Sequence, residues 1–485
     1  MHLTDVTTQI MEGPQMNYIQ TEADGQMKFS TERSKFLMIP SFLEGFNNSS
    51  TSVETSKSGR NVYCFRGTLD ATIDRTCPEC GRRMHINNHL NVNLRHLCFG
   101  STLTVVKCTK LQLRCPSCGL TQIQGVPFKA DHHRITKELF TYTRDLLGHG
   151  TYTNREVSEI SGLDENTVKT IDKQRLQEKY TVNGQTLIKP EEYARYLGID
   201  EFKLHNGHRY ATHIIDMRTG HILWISHGKK KQVVYDFINH VGLDWMDHVE
   251  AIACDMNSDF QEAFEAKCPH IQPVFDYFHI VKNFNDKVVS QIRIEEQKRL
   301  ASEGNTAAAT ALKRTKYILT SSRATLERKD LEAQEGKVLS RASNLFNKEE
   351  VTRKVGYVAK YNELLQENKL LFTIDLIKEK LTEAYRVNSE PVMASIISDI
   401  MDLCKATGNK HFNWFRRLLD KHFEGIIAHA TFRLSAGKIE GINNKIKTLR
   451  RQGYGYPDDE YFFLKLFDIS RKSYVRNIPS HKILE

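Results

Sequence analysis

Between Leu197 and Phe278 the sequence alternates in a way that few folds accept. LGIDEFKL (197–204), RYATHIIDM (209–217) and HILWISHG (221–228) read as three strands. The links between them carry Asn206-Gly207 and Arg218-Thr219-Gly220, residues that make hairpin turns. A helical run from Lys231 to Val241 follows, then VEAIACDM (249–256) as a buried strand, a helix over about 258–267, and QPVFDYF (272–278) as a further strand. A chain with this order builds an α/β sheet that begins antiparallel and continues through helical crossovers. Asp200 falls in the first strand and Asp255 at the end of the fourth.

At 485 residues the chain exceeds one ordinary domain and implies roughly three or four. Its 40% hydrophobic and 26% charged residues suit a soluble globular protein. No run of about 18 apolar residues offers a membrane span, and MHLTDVTTQI at the start lacks the basic and apolar regions of a signal peptide. A cytoplasmic protein is expected. Lys and Arg number 68 against 59 Asp and Glu, a net charge of +9 that permits a nucleic-acid partner without demanding one. Ten cysteines without an export signal point to free thiols or metal ligands, not disulfides.

Residues 1–60 are polar and read as a loop-like segment without chemistry. A domain over 61–130 carries two knuckles, Cys77-Pro-Glu-Cys80-Gly and Cys115-Pro-Ser-Cys118-Gly. Each C-x2-C can give two thiolates to one tetrahedral ion, with glycine easing the turn behind the second ligand. This is a zinc-ribbon signature with Cys77, Cys80, Cys115 and Cys118 holding a structural Zn²⁺, although the wide gap between knuckles leaves an insertion or a swapped ligand open. Four thiolates leave no position for catalysis.

Over 131–190 a helix-turn-helix is expected. Thr153 reads as an N-cap with Glu156 completing a capping box. Val157 and Ile160 should face inward, Gly162 should lie in the turn, Asp164 should cap a second helix, and Val168 and Ile171 should continue the apolar side. On that register Glu165, Asn166, Lys169 and Thr170 could reach a DNA groove, with Lys173 and Arg175 near phosphates. A plain helical hairpin has the same pattern.

Residues 286–430 are helical in pattern throughout and rich in Lys, Arg, Glu and Gln, an all-helical insertion. The chain then returns over 431–485 to the sheet begun at 191–285. In the returning stretch SAGKIEGINNKIKTLRRQGYGY, a helix would gather Ile439, Ile442, Ile446 and Leu449 on one side. Glu440, Asn444, Lys447 and Arg451 would gather on the other, with Arg450 at the edge. Alone, such a face is as readily a solvated surface.

The strand order fits a ribonuclease-H-like core, in which the first and fourth strands are neighbours and Asp200 and Asp255 meet across the ladder. With Glu440 on a helix beside them, three carboxylates repel unless cations bind, and hard oxygen ligands suit Mg²⁺ or Mn²⁺. Two such ions could activate a water or a 3′-hydroxyl and stabilise the leaving oxygen of an in-line phosphoryl displacement. Asp276 and His279, on a strand and three residues on, could support that site or simply orient the core.

The paired knuckles CPEC and CPSC, GIDEFKLHNGHRYATHIIDMRTG, AIACDMNSDF, DYFHIVKNFN and GKIEGINNKIKTLRRQGYGYPDDEYFFLKLF together resemble bacterial insertion-sequence transposases of the "ISL-three" family, within the Asp-Asp-Glu transposases. The likeness covers about 60–470. Ala436 stands where that family commonly has Asn. The resemblance implies a zinc ribbon and helix-turn-helix that bind transposon ends, a ribonuclease-H-like domain interrupted by helices, and Mg²⁺-dependent end cleavage and strand transfer. By position Asp200, Asp255 and Glu440 match its catalytic acids, and Asn444, Lys447, Arg450 and Arg451 become candidates to hold the DNA end. Double-stranded DNA, both transposon ends and target, is the expected partner. At least a dimer is expected because two ends are joined, in the nucleoid-associated cytoplasm of a bacterium. A catalytically silent DNA-binding derivative and a nuclease without strand transfer are the alternatives.

Overall fold

The computed structural model describes residues 43–472, apart from 57–58, 70–72, 257, 337, 343–347, 353–355, 367 and 454–455. Most of the polar segment expected at 1–60 therefore lies outside the described residues. The chain divides into two units, Met1–Asp172 and Lys173–Glu485.

In the first unit β1 (Phe46–Thr55), β2 (Asn61–Leu69), β3 (His85–Phe99), β4 (Thr102–Arg114) and β5 (Thr121–Ile123) form one sheet in the order β1-β2-β4-β3, with β5 against β4. β1 corrects the expectation of a loop. Its Ser/Thr-rich sequence has little strand signal of its own, but Phe46 is buried and the backbone pairs antiparallel with β2. Phe65, Leu94, Val106, Cys108 and Phe128 build the core of this sheet. The long β3–β4 hairpin occupies the gap between the two knuckles.

Three helices follow: α1 (Lys137–His149), α2 (Asn154–Ser161) and α3 (Glu165–Tyr180), the last containing the division between units. Thr153 caps α2 in a full capping box with Glu156, and Gly162 ends it in the left-handed conformation. Asp164 accepts from the Thr167 N–H at the start of α3. Val157, Val168 and Ile171 are buried as their spacing requires. Ile160 is not, being 41% exposed. The eight-residue α2 buries only the narrow stripe of Val157 and Ser161, and Ile160 falls beside it.

The second unit opens with a small hairpin, β6 (Thr181–Val182) and β7 (Thr186–Leu187). Its main sheet contains β8 (Tyr196–His205), β9 (Arg209–Asp216), β10 (Ile222–His227), β11 (Ala251–Cys254) and β12 (Gln272–Phe275), in the order β10-β9-β8-β11-β12. β8, β9 and β10 pair antiparallel, while β11 runs parallel to both β8 and β12. The crossovers are α4 (Lys231–Val241), with the short α5 (Leu243–Met246), and α6 (Ser258–Lys267).

Period-two alternation sorts the two faces. Leu197, Ile199, Ile252 and Cys254 join Phe237 and Phe260 in one core. Ala251, Ala253 and Leu204 join the last two helices among the described residues in another. The expected strand at 272–278 stops at Phe275, and α7 (Tyr277–Phe284) follows with Asp276, in extended conformation, as its N-cap residue.

A π-helical turn (Asn285–Val289) leads to α8 (Ser290–Ser302), α9 (Thr306–Ala311), α10 (Lys316–Thr320) and α11 (Arg323–Gln334). The region expected to be all-helical is then interrupted by a hairpin, β13 (Val338–Ala342) and β14 (Lys348–Thr352). This corrects the sequence reading, where helical patterns on both sides masked two five-residue strands. Helices resume with α12 (Tyr357–Gln366), α13 (Lys369–Ala384), α14 (Glu390–Ala406), α15 (Lys410–Lys421), α16 (Phe423–Ile427) and α17 (His429–Phe432). Leu371, Ile374, Ile397, Phe412 and Phe415 from this array share the core on the α4/α6 face of the sheet. The opposite face receives α18 (Gly437–Gln452) and α19 (Asp459–Ser470).

Candidate functional site

Four apolar residues fix the orientation of α18. Ile439, Ile442, Ile446 and Leu449 are buried, each worth about 1.5–3 kcal/mol when fully removed from water. Glu440, Asn444, Lys447 and Arg451 are consequently exposed along the other side. The helix tracks β8. Lys438 donates to the Arg218 carbonyl, Ile439 lies over Gly198, Asn443 reaches Asp200, and Arg450 donates to the carbonyls of Lys203 and Leu204. Ala436 precedes the helix without a side-chain cap, and Ser435 Oγ instead accepts from the Gly437 N–H at 3.2 Å.

Asp200 and Asp255 arise from neighbouring parallel strands. Ala251, Ile252 and Ala253 pair with Tyr196, Leu197 and Gly198. Continuing that register sets Asp255, immediately after β11, level with Asp200. Parity puts both on the face covered by α18, because Gly198 and Ala253 already lie there. Asp200 Oδ1 accepts from the Glu201 N–H at 2.8 Å and Oδ2 from Asn443 Nδ2 at 2.7 Å. Asp255 is half exposed, with Oδ1 held by the Met256 N–H at 2.7 Å. Glu440 is exposed one helical turn before Asn443. The ligand atoms of these three acids do not all lie within 4.8 Å of one another, a spacing met among the described residues only by a cysteine cluster.

His279, three residues after Asp276 on α7's first turn, brings Nδ1 to 3.3 Å from Asp255 Oδ1. Asp276 makes no side-chain cap bond. Its charge acts on the partly buried Tyr385, whose hydroxyl donates to the Phe275 carbonyl at 3.2 Å and is pushed well above the usual phenol range by desolvation and then by Asp276. The same carboxylate partly offsets the effect of burial on His429, which stays below the usual imidazole value.

Three neighbours of the acids escaped sequence reasoning. Asn443 lies at the seam between the apolar and polar sides of α18. His213, cross-strand partner of Asp200, is fully buried, and burial pulls its imidazole down to about 4 against the opposing charge of Asp200. His422 packs edge-on against Phe275 at 5.1 Å and is lowered by burial and Lys421, with Asp255 opposing. Only His213 had a signal, the count of residues back from the Asn206-Gly207 turn.

In the first unit the two knuckles repeat each other bond for bond. The Cys77 N–H donates to Arg82 and the Gly81 N–H to Cys77, while the Cys115 N–H donates to Leu120 and the Gly119 N–H to Cys115. Gly81 and Gly119 both require positive φ, +70° and +74°. Cys77 and Cys118 sulfurs are 3.5 Å apart, Cys80 and Cys115 sulfurs 3.4 Å, and all four thiols are free. Tetrahedral zinc with bonds of about 2.3 Å needs sulfurs about 3.8 Å apart, so the cluster could close on Zn²⁺ with a slight expansion. The Cys118 N–H, aimed at Cys115, pulls that thiol down to about 6. His96, from the gap, is instead buried against Thr136 Oγ1 at 2.8 Å.

The α3 residues expected on DNA divide. Asn166 is exposed and Lys169 half-buried. Lys173 pairs with Asp458 at 3.3 Å and Glu460 at 2.9 Å at the start of α19. Arg175 is buried and pairs with Asp468 at 3.2 Å, so its guanidinium serves the fold of the second unit. Arg450 is likewise committed to backbone carbonyls.

Residues 197–466, more than half of the chain, match the family model DDE_Tnp_ISL3, described as Transposase. The chain is 26% identical over 391 residues to the transposase for insertion sequence element IS1001 of Bordetella parapertussis, covering 80% of this chain and 87% of that protein. It is 22% identical over 402 residues to the transposase for IS1557 of Mycobacterium tuberculosis, covering 80% and 83%. The matched region contains both sheet acids and the whole of α18, and the chain belongs to the ISL-three family of transposases.

Proposed function

We propose that this chain binds the terminal inverted repeats of an insertion sequence and catalyses metal-dependent DNA cleavage and strand transfer, with Asp200, Asp255 and Glu440 as its catalytic acids. The observation that carries this reading is the level register of Asp200 and Asp255 on neighbouring strands, under the helix that bears Glu440. The sheet order, with three antiparallel strands followed by two parallel to the first, supports a ribonuclease-H-like core.

The three acids offer hard oxygen donors of the kind Mg²⁺ or Mn²⁺ takes. Such ions, bound there, would activate a water for cleavage or a 3′-hydroxyl for strand transfer and stabilise the leaving oxygen. The protein's own contribution is orientation. The Glu201 and Asn443 N–H groups hold Asp200, and the Met256 N–H and His279 hold Asp255. Asn444, Lys447 and Arg451, exposed beyond Glu440 on one side of α18, are positioned to bind phosphates of the DNA end. In the first unit a structural Zn²⁺ on the four cysteines would stabilise the knuckles, and Asn166 and Lys169 on the capped α2–α3 pair are the groove-facing candidates of a helix-turn-helix.

The test is incubation of the protein with Mg²⁺ and labelled duplexes carrying the element's own ends, beside Glu440→Gln. Nicking at the ends and joining to target, both lost in Glu440→Gln, is expected. Binding without nicking would make the chain a silent DNA-binding derivative. Nicking without joining would make it a nuclease.

A further inference from the structure

Asn443 links the helix of Glu440 directly to a sheet acid. Its Nδ2 donates to Asp200 Oδ2 at 2.7 Å, while Asp200 Oδ1 is already engaged by the Glu201 N–H at 2.8 Å. Both carboxylate oxygens are thus fixed in direction, and each keeps a lone pair for a further bond. Two buried neighbours, Ile442 and Ile446, hold the Asn443 backbone in place against the sheet.

The other end of the same amide carries the second observation. Asn443 Oδ1 is buried and has no hydrogen-bond partner among the described residues. A buried amide oxygen left unpaired is costly, and native folds rarely keep one unless a ligand or water completes it. Here the orphan acceptor lies beside Asp200, one helical turn from Glu440.

We infer that Asn443 is a positioning residue for the divalent cation of the proposed site: its N–H locks Asp200 in the ligating orientation, and its Oδ1 accepts from a donor brought in with the cation. This rests on the metal-dependent reading of Asp200 and Glu440. A plain helix-to-strand tie would also explain the bond to Asp200, but it would not make cation binding depend on the pair.

Mn²⁺ titration of the full-length, zinc-loaded chain without DNA, followed by loss of the free Mn²⁺ signal in electron paramagnetic resonance, separates the two. Asn443→Ala and the nearly isosteric Asn443→Leu should each weaken Mn²⁺ binding by about 10–100-fold, the usual effect of removing a group that orients a metal ligand. In an Asp200→Asn background the same changes should add less than about two-fold, because the partner through which Asn443 acts is gone. Thr448→Ala, on the exposed side of α18, should leave Mn²⁺ binding unchanged. Wild-type affinity in both Asn443 variants, or an equal loss in both backgrounds, overturns the inference while leaving the cation site intact. A wild-type chain that binds no Mn²⁺, or binding that survives Asp200→Asn with Glu440→Gln, removes the cation reading itself.

Discussion

Gly198 and Ile439 meet so closely that no side chain fits between them: a Cβ on Gly198 would stand 2.9 Å from Ile439 Cγ1 and 2.6 Å from Met217 Sδ. Gly198 is two residues before Asp200 and Ile439 is the residue before Glu440. This contact therefore sets the height of the helix carboxylate above the sheet carboxylates.

Gly198→Val should separate the two. Overpacking of this kind costs about 1–3 kcal/mol, which the urea midpoint of the second unit would register. The larger effect should fall on chemistry, since a displacement of about 1 Å can cost about 100-fold in rate. The expected outcome is a folded protein with normal circular dichroism and end nicking reduced at least about 10-fold. Unimpaired nicking would mean that the α18–β8 spacing does not govern the site.

The sheet and the acid-bearing helix were legible because each rests on local periodicity. Lys231–Val241 was read to the residue, and the apolar and polar sides of α18 came out as the helical repeat required. Even the Asp200–His213 pairing follows from counting back from a two-residue Asn206-Gly207 turn. The real hairpin pairs His205 with Arg209, but a bulge at Leu204 takes up the extra residue and restores the count. What local pattern does not carry is partner choice. Arg175 and Asn166 look alike as polar residues on one helix, yet Arg175 is buried against Asp468, 293 residues away. The strand at Phe46–Thr55 exists because β2 supplies its ladder, and β13–β14 interrupts helices on both sides without a signal of its own.

Metal removal tests the knuckles. The purified chain should carry about one zinc, lost in Cys80→Ser and Cys118→Ser, and thermal unfolding of the first unit should come earlier after chelation because site assembly is coupled to folding. Hydrogen exchange should show the loss of protection confined to 77–82, 115–120 and adjacent strands, with β8–β12 unchanged. A zinc-free protein of undiminished stability would leave the tetrad as four ordinary thiols.

Asp468 should make stability fall in acid. Burial alone would raise its carboxyl, but the Tyr180 hydroxyl at 2.7 Å, Arg175 at 3.2 Å and Lys472 at 3.0 Å hold it well below the usual range. A folded-state value below the unfolded value of about 3.9 contributes stability that is complete above about pH 4 and is lost as pH falls through the folded value. Asp468→Asn removes the carboxylate charge that faces the buried Arg175 and should cost about 3–5 kcal/mol at neutral pH. Urea unfolding at neutral pH and below pH 4 should find the gap between variant and wild type narrowing in acid, and a constant gap would exclude the ion pair as its source.

Arg450 and Arg451, adjacent in sequence, should fail in different ways. Arg451 and Lys447 are exposed and make no ion pair among the described residues, so their work is available for DNA phosphates. Alanine at either should lower the slope of log affinity against log salt for end-bearing DNA by about 0.9 and weaken binding to all sequences alike. Arg450 spends its guanidinium on the carbonyls of Lys203 and Leu204, at the end of the strand that carries Asp200. Arg450→Ala should instead leave the salt slope unchanged and destabilise the α18–β8 contact by about 1.5–3 kcal/mol, as for a hydrogen bond to a charged donor. Filter binding across a salt series, paired with urea unfolding of each variant, reads both quantities. A reduced salt slope in Arg450→Ala with unchanged stability would reverse the assignment and move Arg450 onto the DNA.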